Sequence, residues 1–173
     1  MNVQVEICVE SSSFAEAAAK VGADRLEVCD RLDLDGLTPQ LGDVASALGT
    51  GASVVVMLRN RVDFLAGEDG GASLLEPLRE FASLGVQGVV FGFLQADGQL
   101  DWDSNRRLLE AAKEHDLEVV FHRAIDAASD PLLTAAQLQE LQFDRVLSAG
   151  GAGAILEGAE AFLRMRTQSP KLN

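Results

Sequence analysis

Short β-branched apolar runs and Ala- and Leu-rich amphipathic stretches alternate along the whole chain, and this alternation constrains the fold more than any other feature. The spacing predicts strands over 3–9, 25–29, 53–58, 87–93, 117–122 and 144–148, and helices over 13–21, 39–48, 73–84, 103–115, 130–141 and 153–166. A helix between successive strands returns the chain to its starting end, so the strands pair in parallel with helices outside them. Local signals agree. Ser11 to Ser13 offer N-caps, Thr38-Pro39 and Asp130-Pro131 pair a cap with a first-turn proline, and Gly22 and Gly85 supply left-handed helix ends before strands. An open doubly wound sheet and a TIM-type (β/α)8 barrel both satisfy this order. The barrel is favoured because the strands carry polar residues on one parity and none is followed by a dinucleotide-binding glycine fingerprint.

Along the first strand Val3, Val5, Ile7 and Val9 share one parity, and Gln4, Glu6, Cys8 and Glu10 share the other. The triplet Glu6-Ile7-Cys8 returns as Glu27-Val28-Cys29, and the chain has no other cysteine. The cysteines are one βα repeat apart, which sets them at equivalent points of neighbouring strands, with two thiols and two carboxylates on one surface. Such a pair suits Cu(I), which prefers thiolates to harder oxygen ligands. Equally, cysteine often serves as a small buried hydrophobe. Zinc is disfavoured, since a closed site needs four ligands and His122 is the only available nitrogen donor.

With 173 residues and 47% hydrophobic content, the chain can bury the core of one domain. A formal net charge of −13 repels nucleic-acid backbones and anionic lipid surfaces, so neither nucleic acid nor membrane is an expected partner. The N-terminus opens directly on a strand pattern with no leader-like segment, and a cytoplasmic location with reduced cysteines is expected.

Several strand-end segments resemble those of the CutC family, the copper homeostasis proteins. They are Val5-Glu6-Ile7-Cys8-Val9-Glu10-Ser11, Gly22 through Cys29, Gly36-Leu37-Thr38-Pro39, Met57-Leu58-Arg59, Val90-Phe91-Gly92, Phe121-His122-Arg123-Ala124-Ile125-Asp126 and Arg145-Val146-Leu147-Ser148. The resemblance implies a TIM-type barrel, a cytoplasmic homo-oligomer and a role in copper handling, with Cys8 and Cys29 as Cu(I) ligands. Two departures stand out. Arg59-Asn60-Arg61 replaces the family's Arg-Pro-Arg, and the segments of the seventh and eighth strands have no counterpart, although a barrel of this type takes about 250 residues. The expectation is therefore one domain over 1–173 that lacks the last two βα units, a partial or open barrel with a ragged polar end at Gln168 to Asn173.

A second function remains open beside copper binding. Glu6, Glu27, Arg59, His122, Arg123 and Asp126 are placed at or just beyond strand C-termini, the face on which barrel enzymes keep their active sites. Arg59 and Arg123 would grip a carboxylate or phosphate bidentately while a glutamate or His122 moves a proton, the outline of an isomerase, epimerase or lyase for a small anionic substrate. The alternative for the glutamates is a buried network that neutralises Arg25, Arg59 and Arg123. Gly150-Gly151-Ala152-Gly153 offers backbone N–H groups to an anion or simply makes a tight turn, and Glu68-Asp69 among glycines reads as a lid or a solvated linker. Trp102 is expected to anchor packing, and His115 to lie on the surface at a helix end.

Overall fold

Six parallel strands pair in chain order, and helices cover one face of the curled sheet. The structure, a computed structural model, describes residues 4–151 and 155–172. The strands are β1 (Glu6–Val9), β2 (Arg25–Val28), β3 (Ser53–Met57), β4 (Gly88–Phe91), β5 (Glu118–Phe121) and β6 (Arg145–Val146). The helices are α1 (Ser12–Lys20), α2 (Leu41–Leu48), α3 (Leu75–Leu84), α4 (Trp102–Lys113), α5 (Pro131–Leu141) and α6 (Ile155–Gln168). Of the expected elements, Val3 and residues 153 and 154 fall outside the described residues, as do Ala152 of the glycine cluster and Asn173. The partial TIM-type barrel is the observed architecture. No helix among the described residues is long and apolar enough to cross a membrane.

Helix boundaries follow their caps. Ser11 Oγ accepts from Phe14 N at 3.4 Å, Asp130 Oδ1 accepts from Leu132 and Leu133 N at 3.1 and 3.0 Å, and Gly22 and Gly85 take φ of 89° and 88°. One expected cap fails. Pro39 does not enter α2, which starts at Leu41, because Thr38 is spent on β3: its Oγ1 accepts from Arg59 N at 2.8 Å, and its own N–H donates to Arg59 O at 2.8 Å. The acidic loop after β3 is tied down. Asp69 accepts from Gly71 and Ser73 N–H, and Arg107 of α4 donates to the Asp69 and Gly70 carbonyls. Trp102 packs on the core and His115 is exposed beyond α4, both as expected.

Alternate strand residues enter two different layers. Leu26, Val28, Val54, Val56, Val89, Phe91, Val119 and Phe121 pack outward against the helices in the larger core. Val55, Met57, Val90, Val120 and Cys29 fill the concave interior, joined by Leu147. Below this apolar layer, at the N-terminal ends of the strands, lies an ion network. Arg25 donates to Glu6 and, at 2.5 Å, to Glu118; Arg145 donates to the same Glu118 and, at 3.2 Å, to Gln4. Since β2 and β5 are separated by two strands, the Arg25–Glu118 contact crosses the interior and measures how far the sheet has curled. Gly88 permits it, because a Cβ there would lie 2.5 Å from the Glu118 carbonyl oxygen.

This placement corrects one expectation. Glu6 is the first residue of β1 and faces Arg25 at the bottom of the barrel, away from the strand C-termini where sequence reading had set it. The neutralising role fits it instead. Only 7% of the Arg25 surface is exposed, so its removal strands two carboxylates in a desolvated setting. Arg25→Met is expected to lower unfolding stability by about 3 kcal/mol in urea titration, whereas breaking the exposed Arg31–Asp33 pair should leave it nearly unchanged.

Candidate functional site

The C-terminal ends of the strands open onto a cavity of about 400 Å³, within the size range of small-molecule sites. Its polar lining comes from Cys8, Glu27, Cys29, Asp35, Arg59, His122, Arg123 and Asp126, and its apolar walls include Leu32, Met57, Phe64 and Leu147. The structure thus brings together every predicted site residue except Glu6.

Glu27 sits inside β2 at 2% exposure, and its Oε2 has no hydrogen-bond partner. Burial, then the Glu6 charge and a hydrogen bond with Glu6, pushes its carboxyl up to about 8 against the pull of Arg25. At neutral pH it is a carboxylic acid rather than a carboxylate.

His122 follows β5 and is 4% exposed. Its Nδ1 accepts from Ala124 N at 3.2 Å, so the neutral ring carries its proton on Nε2, which is buried and unpartnered. Burial, with the nearby Arg59 charge, lowers the imidazole to about 3, so the ring stays neutral. Phe64 and Phe121 hold it, with ring centroids 5.3 and 5.8 Å away. Gly92 makes room, since a Cβ there would lie 2.8 Å from the Phe121 ring and 3.0 Å from His122 Nδ1.

Most of the Arg59 guanidinium is already engaged by the protein itself. Its Nη1 donates to the carbonyls of Leu34, Asp35 and Gly36 at 3.0, 3.2 and 3.0 Å, and its Nη2 donates to Val62 O at 2.5 Å. The two loops that frame the cavity are pinned by those bonds. What remains is Nε–H, buried and unpartnered, with the guanidinium carbon 4.8 Å from the Phe64 ring centre. No carboxylate among the described residues lies within ion-pair distance of Arg59.

Arg123 donates its Nε to Asp126 Oδ2 at 3.0 Å. Asp126 also accepts from Ser148 Oγ at 2.7 Å, from Ala149 N at 2.9 Å and from Gly151 N at 2.9 Å. Against the upward push of burial, these donors hold its carboxyl below the usual carboxylate range. The described part of the glycine cluster is therefore no free anion cradle: an aspartate of the same chain fills it.

The cysteines are not at equivalent points. Cys8 pairs in register with Glu27, and Cys29 lies two residues nearer the mouth, about 7 Å farther along the strand direction. Strand stagger causes this, for Glu6 pairs with a residue 19 positions on while the cysteines are 21 apart. Cys29 is buried and donates its thiol to Val9 O at 3.7 Å. Burial, then Glu27, Glu10 and Asp30, pushes it up to about 12. Cys8 is exposed at the sheet edge, yet desolvation of its sulfur, then the charges of Glu27, Cys29 and Glu6, pushes its thiol up as well. No group of three His, Cys, Asp or Glu side chains poised for a metal occurs among the described residues.

No sequence signal points to Phe64, and Asp126 stood among the candidates without a role. The class defined so far is a curled parallel α/β half-barrel with a small-molecule cavity at the strand C-termini. The chain belongs to the CutC family, whose model matches residues 3–171. A CutC protein of Aliivibrio fischeri is 36% identical over 167 residues, which cover 95% of this chain and 68% of that one. The copper homeostasis protein cutC homolog of Caenorhabditis elegans is likewise 36% identical, over 95% of this chain and 66% of its own length. A CutC crystal structure from Streptococcus agalactiae superposes with a TM-score of 0.88 at 27% identity, covering 98% of this chain and 84% of that one.

The protonated Glu27 has a consequence for stability. Its folded value of about 8 lies above the ordinary 4.5, so the folded state holds a proton that the unfolded state has lost, and stability falls as pH rises toward about 8. His122 acts in the other direction, but only below its ordinary value of 6.5. Thermal unfolding between pH 6.5 and 8 should show the midpoint falling in the wild type and nearly level in Glu27→Gln.

Proposed function

We propose that this chain binds a small anionic molecule in the cavity and moves a proton on it, as an isomerase, epimerase or lyase does. One observation carries the reading. Glu27 Oε2, Arg59 Nε and His122 Nε2 are all buried, all unpartnered, and all belong to residues lining the same cavity. Leaving a buried polar atom unsatisfied costs on the order of 1–3 kcal/mol, so three around one cavity are a preformed set of ligand contacts. In this reading Arg59 Nε–H and His122 Nε2–H hold ligand oxygens, and Glu27, poised near neutral pH, gives or takes the proton. Arg123 and Asp126 shape the rim. We assign the chain, within the same proposal, to the reducing cytoplasm, which two unpaired cysteines suit.

The test is exchange of carbon-bound hydrogen in D2O, followed by proton NMR on a panel of small hydroxy and oxo acids and their phosphorylated analogues. Protein-dependent exchange of a panel member is expected, reduced at least 100-fold in Glu27→Gln with binding retained. Where Glu27 acts as base the rate climbs with pH through about 8, because the carboxylate is the active form. The absence of protein-dependent binding by any panel member would sink the reading.

Copper binding is the second reading, in which Cys8 and Cys29 hold Cu(I). It is supported by the copper homeostasis name of a relative, by both cysteines lining the cavity, and by the acidic groups around them, which favour a cation. The one-layer offset of the thiols, their raised values and the absence of a third ligand among the described residues weigh against a preformed site. An anaerobic Cu(I) competition titration distinguishes the two. Stoichiometric binding that is lost in Cys8→Ser/Cys29→Ser supports copper, and equal weak binding by both proteins removes it.

A further inference from the structure

We infer that the anion taken at this mouth is an unphosphorylated monocarboxylate, an assignment that rests on the small-anion reading above and narrows it. The argument is a count of donors. A phosphate ester carries close to two negative charges and three terminal oxygens, and proteins hold it with several backbone N–H groups or with bidentate arginines. Here those donors are spent. The N–H groups of Ala149 and Gly151 point at Asp126, that of Gly150 at Ser148 Oγ, and that of Ala124 at His122 Nδ1. Both terminal nitrogens of Arg59 are bound to loop carbonyls. The cavity-lining donor nitrogens left with no partner at all are Arg59 Nε and His122 Nε2, a pair that suits the two oxygens of one carboxylate.

Charge leads to the same class. Arg59 contributes one positive charge with no carboxylate at ion-pair distance, and His122 is kept neutral by burial and by the Arg59 charge, with its Nδ1 lone pair taken by the Ala124 N–H. With Arg123 paired to Asp126, a single negative charge on a ligand meets Arg59, whereas a second would add to Asp35 and Asp126 across a partly dry cavity. The remaining walls, Leu32, Met57, Phe64 and Leu147, accept a short apolar or hydroxylated tail. At about 400 Å³, the cavity has room for a small organic acid. Asp126 is the residue that enforces the choice, since its carboxylate occupies the position a phosphate would need.

The experiment is isothermal titration of the intact chain with lactate, 2-oxobutyrate, glycerol 3-phosphate and inorganic phosphate, repeated on His122→Asn. Asparagine preserves an acceptor for the Ala124 N–H and removes the Nε2 donor. The expected result is that a carboxylate binds at least tenfold more tightly than either phosphate and is weakened about tenfold by His122→Asn. Tighter binding of the phosphates, lost in His122→Asn, would overturn the carboxylate assignment and leave the small-anion reading standing. Carboxylate binding that His122→Asn leaves unchanged would overturn the placement at this site. If none of the four probes binds, and the wider panel of the exchange experiment also fails, both the assignment and the reading it rests on fall. Asp126→Ala, checked for folding by circular dichroism, supplies an independent arm: an emptied cradle should raise phosphate affinity at least tenfold, and a folded variant with unchanged affinity would refute the role given to Asp126.

Discussion

Arg25 is clasped between carboxylates from two strands that are not neighbours, Glu6 on β1 and Glu118 on β5, and the curvature of the sheet depends on that contact. Parallel pairing alone specifies a ladder of strands and says little about how far it bends. A guanidinium in a nearly dry interior has few ways to be satisfied, and the sheet is curled where both carboxylates can reach it. Gly88 removes the side chain that would stand in the way. Above this polar floor, the layer of Val55, Val90 and Val120 separates the ion network from the mouth, so that structural charges and candidate chemical groups occupy opposite ends of one interior.

Glu27 stands between the two ends and takes its character from both. Its neighbour below, Glu6, is already committed to Arg25, so a second negative charge beside it is unfavourable and the Glu27 proton is retained. The floor thereby sets the protonation of a group that lines the mouth. A carboxylic acid of this kind can donate a hydrogen bond at neutral pH and lose its proton without a large change of pH.

The sequence carried the order of strands and helices because apolar period, caps and turn glycines are local properties, and Asp130-Pro131 opened a helix and Gly85 closed one where the chain predicted. It carried the family, and it carried Glu27, Arg59 and His122 as residues that would meet. What it did not carry depends on geometry between strands. The cysteines look equivalent when spacing is counted along the chain, but strand stagger adds an offset that spacing cannot reveal. Arg59 looked like an anion clamp because nothing in Met57-Leu58-Arg59 shows that three carbonyls of the β2–α2 loop and one of its own loop will claim its terminal nitrogens. Thr38 looked like a helix cap, yet tertiary hydrogen bonds to Arg59 outbid the local role. Asp126 as the glycine turn's own counter-anion was hidden for the same reason: the partners are more than 20 positions apart.

The four bonds from Arg59 to Leu34, Asp35, Gly36 and Val62 also couple events that are usually separate. The side chain whose unpartnered Nε lines the cavity is the same one that ties the β2–α2 and β3–α3 loops to the barrel. Whatever tightens Arg59 tightens both loops, and whatever loosens either loop is felt at the ligand. A ligand bound as proposed would therefore slow amide hydrogen exchange across residues 31–36 and 60–64, far beyond the atoms it touches, and the rim would behave as one cooperative unit with the site it surrounds.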